Sequence, residues 1–234
     1  MGHCNKIILV FLALLVSPVY AYDLSPSDLG WKEKGDEGYY KTYVREKKDS
    51  GTGEVLMIGV VDGSPQKYFA VVGDYDNFPE FMPYLKYVKK QHSEKVDENK
   101  TYNYVFFYFA SPVVADRFYN LKLLDEKNAN GKKGTYKSSW TLEKGTYRKT
   151  PADPEISKYV KSGDKAVETA FNEGYWLLEP LEDGKKTKIT YYVWTNPGGS
   201  IPDFIANKAN TVALPKLMKA IQERIKNPKY NSAN

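Results

Sequence analysis

Trp194-Thr195-Asn196-Pro197-Gly198-Gly199-Ser200-Ile201-Pro202-Asp203-Phe204-Ile205 is the stretch on which the fold turns. An aromatic strand, Ile189 to Thr195, breaks at Pro-Gly-Gly and passes straight into a long C-terminal helix. Ser200 takes the N-cap position, Pro202 falls in the first turn, and Asp203 stands three after the cap, as in a capping box. Ile201, Phe204, Ile205, Val212, Leu217, Met218, Ile221 and Ile225 recur at helical spacing, giving one apolar face. Pro215 lies inside this helix, and the lost backbone hydrogen bond predicts a bend near Thr211.

Upstream of that helix, strands dominate. Tyr39 to Lys47 and Glu54 to Val61 read as strands joined by the turn-rich Asp49-Ser50-Gly51-Thr52-Gly53. Ser64-Pro65 starts a helix by the N-cap and first-turn proline rule, and a second short helix is expected around Tyr75 to Phe81. Leu85 to His92, Thr101 to Ala110, Arg117 to Glu126 and Gly134 to Lys144 are further strands. Ala170 to Leu181 and Lys185 to Thr195 meet at Asp183-Gly184, a hairpin turn. Gly145 to Lys165, with Pro151 and Pro154, is one long irregular segment. Strands in series with segregated helices define an α+β class with an antiparallel sheet.

The N-terminus reads as a targeting segment. Lys6 precedes the apolar run Ile7 to Val16, and Ser17-Pro18-Val19-Tyr20-Ala21 has the small residues of a cleavage region. The expected division is a signal peptide over 1–21, a polar N-terminal arm over 22–38, one domain over 39–228 and a tail over 229–234. Export to a secreted or periplasmic location follows, as does loss of Cys4, the only cysteine, on cleavage. The net charge of +5 becomes +4 once Lys6 is removed. Charged residues of mixed sign at 27% read as solubility rather than a nucleic-acid footprint. The aromatic share is 15%, with 20 tyrosines, whose amphipathic rings suit a cavity wall.

Four segments in order resemble one family. They are Phe78-Pro79-Glu80-Phe81-Met82-Pro83-Tyr84, Ser111-Pro112-Val113-Val114-Ala115-Asp116-Arg117-Phe118-Tyr119, Gly174-Tyr175-Trp176 and the NPGGSIP block. Together they are similar to the START (StAR-related lipid transfer) domain, within the Bet v 1-like and polyketide-cyclase superfamily. One departure is that Phe118 follows the arginine where the family has an acid, and Asp116 precedes it. The resemblance implies a helix-grip fold, with a curved antiparallel sheet wrapped around the C-terminal helix and a hydrophobic cavity between them. It implies a lipid or other hydrophobic small molecule as ligand, no cofactor, and a monomer.

Strand parity selects the inward residues. On the strand from Thr101, the polar Thr101 and Asn103 mark the outward face, so Tyr104, Phe106 and Tyr108 are expected inside. By the same alternation Arg117, Tyr119, Trp140, Trp176 and Tyr191 point inward, with Phe204 and Ile205 of the helix above them. The same aromatics would also fill an ordinary core. Arg117 needs a partner if buried. The resemblance implies an arginine–carboxylate pair near the inner end of the tunnel, with Asp116, Glu168 or Glu173 as the acid. A ligand hiding on the order of 400 Å² of apolar surface gains roughly 10 kcal/mol gross, leaving about micromolar affinity after association costs.

Of the two histidines, only His92 lies beyond the signal, in a charged run, and no metal cluster, nucleophile elbow or phosphate loop is present. Two other readings stay open: a polyketide-cyclase-like enzyme using Arg117 and pocket tyrosines, and a ligand-free interaction module. Lys208, Lys216, Lys219, Arg224 and Lys226 on the helix could meet an anionic membrane surface transiently, or merely complement the helix dipole.

Overall fold

Turn chemistry sets the register of the sheet. At Asp183-Gly184 both residues adopt positive φ, and strands β9 (Phe171–Leu181) and β10 (Lys186–Asn196) pair antiparallel from Lys186↔Leu181 to Asn196↔Phe171. β10 also pairs along its length with β3 (Gly53–Asp62), which joins the two ends of the chain. The computed structural model describes residues 25–47, 52–110, 114–160, 165–199 and 203–231, with side chains omitted over 203–212. The 1–21 signal segment and the Ser200 cap lie outside the described residues.

Among these residues, ten strands form one curved antiparallel sheet. The others are β1 (Lys32–Asp36), β2 (Tyr40–Glu46), β4 (Leu85–Lys95), β5 (Lys100–Phe109), β6 (Arg117–Lys127), β7 (Tyr136–Leu142) and the short β8 (Val167–Glu168). Their order is β1-β2-β3-β10-β9-β7-β6-β5-β4, with β8 pairing parallel to β6 at Arg117 and Phe118. Helix α1 (Pro65–Val72) starts at Ser64, whose side chain accepts the Lys67 N–H, and a 3-10 helix follows at Tyr75–Glu80. One helical turn, α2 (Pro154–Ser157), sits in the segment expected to be irregular, and α3 (Asp203–Arg224) runs unbroken through Pro215.

The architecture is the helix-grip arrangement expected. α3 buries Leu214, Met218 and Ile221 against the sheet, in one core with α1 and the inward faces of β3, β9 and β10. Its C-terminal end is fastened to the layer below. Arg224 pairs with Glu80 at 2.8 Å and donates to the Tyr230 hydroxyl, which donates to Asp74 at 2.6 Å.

Two expectations are corrected. Residues 32–36, assigned to a polar arm, form an edge strand on β2. Lys-Glu-Lys-Gly-Asp shows no alternation because almost all of this edge faces water. Second, Tyr104, Phe106 and Tyr108 face out of the sheet, and their neighbours Val105, Phe107 and Phe109 belong to the inner core. The outward three are nonetheless buried, because residues 143–160 fold over this outer face. Ile156 and Val160 pack on Phe106, Tyr108 and Phe118 there. Asn120, pointing outward from β6, holds the segment by donating to the Lys149 carbonyl at 2.8 Å and accepting the Lys149 N–H at 2.9 Å. Tyr147 stacks on His92 at 4.5 Å, and Tyr159 on Tyr87 at 4.7 Å.

Candidate ligand cavity

Between α3 and the concave face lies an apolar chamber of about 360 Å³, within the usual range of roughly 300–1,000 Å³ for small-molecule sites. α3 roofs it with Ala213, Leu214 and Leu217, while Trp140, Trp176 and Tyr191 form one wall. These three rings form a cluster, Tyr191 lying 4.2 Å from Trp176 and 5.9 Å from Trp140 between centroids. The opposite wall is Phe107, Phe109 and Tyr119, whose centroids are 5.3–6.4 Å apart.

Of the residues expected inside, Arg117, Tyr119, Trp140, Trp176 and Tyr191 line the chamber; Tyr104, Phe106 and Tyr108 do not. The side chains of Phe204 and Ile205 lie outside the described residues. Residues missed from sequence include Phe107 and Phe109, displaced by the inverted parity, and Tyr75 and Ser138 at the end under α1.

The hydroxyls of Tyr119 and Tyr191 have no hydrogen-bond partner among the described residues. Burial pushes both well above the ordinary tyrosine range. Each faces the chamber, so each is a vacant polar contact on an apolar wall.

Arg117 marks one end. No described carboxylate pairs with it. Its Nε donates to the Pro197 carbonyl at 2.9 Å and its Nη2 to the Gly198 carbonyl at 3.2 Å. Nη1 donates to the Ala115 carbonyl and, at 3.4 Å, to that of Asp116. Two of the three expected acids are engaged elsewhere: Asp116 accepts the Tyr108 hydroxyl at 2.6 Å, and Glu168 binds Arg148 through two bonds. Burial lowers the Arg117 pKa, against the raising charge of Asp116. The guanidinium thus ties β6 to the corner that leads into α3. Gly198 and Gly199, at φ 71° and 73°, make that corner, and a Cβ on Gly198 would lie 2.6 Å from the Glu168 carbonyl.

The other end holds a buried polar cluster. Asp125 continues the inward series Arg117, Tyr119, Leu121, Leu123 on β6. Its Oδ2 accepts the Asn103 amide at 2.7 Å and the Tyr75 hydroxyl at 3.1 Å. Oδ1 is buried without a hydrogen-bond partner. Burial pushes the Asp125 carboxyl up, against the lowering effect of Ser138, Tyr75 and Asn103. A raised acid binds more protons folded than unfolded, so stability falls as pH rises above the ordinary carboxylate value toward the folded one. Asp125→Asn, which does not titrate, is therefore expected to melt higher than wild type at pH 7. That gap should shrink toward pH 4 in parallel calorimetric scans.

No family model and no curated protein matches the chain. Solved structures do. A STAR-related lipid transfer protein from Xanthomonas axonopodis superposes with TM-score 0.65 at 21% identity, covering 84% of this chain and 99% of that one. Human STARD10 gives 0.66 at 15% identity over 87% and 76%, and human StAR-related lipid transfer protein 5 gives 0.65 at 15% over 84% and 86%. The chain therefore has the START-type, helix-grip fold of these structures.

Proposed function

We propose that this protein binds a lipid-like amphiphile in the chamber under α3 and carries it outside the cytoplasm. The observation that carries this reading is a largely apolar chamber into which two tyrosine hydroxyls project without a hydrogen-bond partner among the described residues. An ordinary core closes around such groups or pairs them. The solved neighbours named for lipid transfer support the same reading, and the leader-like N-terminus supports export. Among the described residues no helix is long and apolar enough to cross a membrane. Contact with anionic lipid would fall to Lys216 and Lys219 of α3, at roughly 1 kcal/mol per cation. Arg224 and Lys226 already pair with Glu80 and Glu223.

Mass spectrometry of the protein purified without detergent is expected to show a stoichiometric apolar small molecule, and fluorescent lipid should move between vesicles in its presence. Tyr119→Phe combined with Tyr191→Phe discriminates further. Removing two unsatisfied hydroxyls should leave the empty protein as stable or more stable, while affinity for the extracted ligand drops about tenfold. A double variant that melts much lower and binds equally well would make these hydroxyls structural and sink the reading.

A further inference from the structure

The buried carboxylate under α1 does more than fill a polar niche, because it decides which way the neighbouring hydroxyls point. Asp125 and Ser138 face each other across the β6–β7 pair. Tyr75, from the 3-10 helix above, gives its only hydroxyl hydrogen to Asp125 Oδ2. The Ser138 hydroxyl lies against both Tyr75 and Asp125. Its single hydrogen has a charged acceptor without another partner, Oδ1, to prefer over a neutral phenol. Asn103 does not supply that hydrogen: its amide donates to Oδ2 and not to Oδ1, and its carbonyl oxygen takes the Ser93 hydroxyl at 2.6 Å.

Ser138 and Tyr75 both line the chamber. With their hydrogens turned toward Asp125, they present only lone pairs to whatever enters. The end under α1 is thus a wall of acceptors. The Arg117 end differs in kind, being a cation eight residues away along the same strand face, about 26 Å at roughly 3.3 Å per residue.

Resting on the ligand-binding reading above, we infer that the chamber takes its amphiphile with a hydrogen-bond donor, a hydroxyl or protonated amine, buried against Ser138 and Tyr75 under the direction of Asp125. An ether, ester or carboxylate at that end meets lone pairs with lone pairs and is rejected. The apolar part of the ligand then packs on Trp140 and Trp176, and a second polar group further along it meets the Tyr191 and Tyr119 hydroxyls on the way toward Arg117.

Asparagine at position 125 reverses this polarity. Its carbonyl can keep the bonds from Tyr75 and Asn103, while its amide donates to Ser138 Oγ. That frees the serine hydrogen to point into the chamber. The experiment is displacement of 1-anilinonaphthalene-8-sulfonate by dodecanol, dodecyl methyl ether and dodecane. In wild type, dodecanol should displace the dye at about tenfold lower concentration than its methyl ether. In Asp125→Asn the two should fall within about twofold of each other. The change in ratio between proteins cancels any difference in hydrophobicity between the probes. Ser138→Ala, a milder substitution that removes the exposed acceptor, should erase most of the preference too, and it serves if the Asn variant fails to fold. Equal displacement by all three probes in wild type, or a preference retained in both variants, overturns the inference while leaving chamber binding intact. Failure of every probe and of the dye to bind would overturn the ligand-binding reading itself, and this inference with it.

Discussion

Gly174→Ala is expected to destabilise the protein by about 3 kcal/mol, the upper range for overpacking a well-filled site. In a domain of this size that lowers the melting temperature by roughly 10 °C. Gly174 sits in β9 directly opposite Trp140 of β7. A Cβ there would come within 2.5 Å of the Trp140 indole and closer still to the Tyr192 carbonyl of β10. Neither neighbour can yield cheaply. The carbonyl belongs to the paired β9–β10 backbone, and the indole is fixed by the Nε1–H bond to Asn172 at 2.9 Å. The absent side chain lets Trp140 lie down across the strand and become chamber wall. A methyl group would lift the indole into the space a ligand needs, so affinity should fall along with stability. Thermal melting and dye binding on the same preparation check both. A variant that melts within 1–2 °C of wild type would mean that β9 can slide away, and that Trp140 is not seated as described.

How far the residues announce this structure depends on which face of each strand is covered. On β6, β7, β9 and β10 the outward residues include Lys122, Lys137, Thr141, Glu179 and Lys188, so alternation alone finds the inner face. β5 defeats that logic twice. Its outer face is roofed by residues 143–160, so both sides carry aromatics. Asn103, which reads as a marker of solvent, points inward because Asp125 needs its amide. A polar residue serving another buried polar residue cannot be told from a wetted one by periodicity. The signal that could have found it lay on the next strand, where Asp125 continues the inward series from Arg117. The edge strand Lys32–Asp36 was illegible for the opposite reason: with little of it buried, its sequence obeys no pattern. The C-terminal helix and its glycine corner, by contrast, were written locally, since left-handed backbone and an apolar helical stripe are both sequence-encoded.

Arg117→Ala tests what sequence and structure say differently about one residue. An arginine on an apolar face predicts a carboxylate partner or a ligand's polar group. The geometry instead spends the guanidinium on main-chain carbonyls, those of Pro197 and Gly198 in the corner entering α3 and those of Ala115 and Asp116 beside it. Charged donors on carbonyls are worth about 1.5–3 kcal/mol, so removal should lower the melting temperature by roughly 4–8 °C. It should also loosen the corner, seen as faster amide exchange at Gly198 and Gly199. Arg117→Lys keeps the charge but loses the planar fork that reaches several carbonyls at once, and should recover only part of the loss. Affinity for neutral and anionic amphiphiles should then decline together, because the chamber roof is disturbed rather than a headgroup contact deleted. An alanine variant that melts like wild type yet selectively loses anionic ligands would return Arg117 to the ligand and overturn its role as the tie holding the roof.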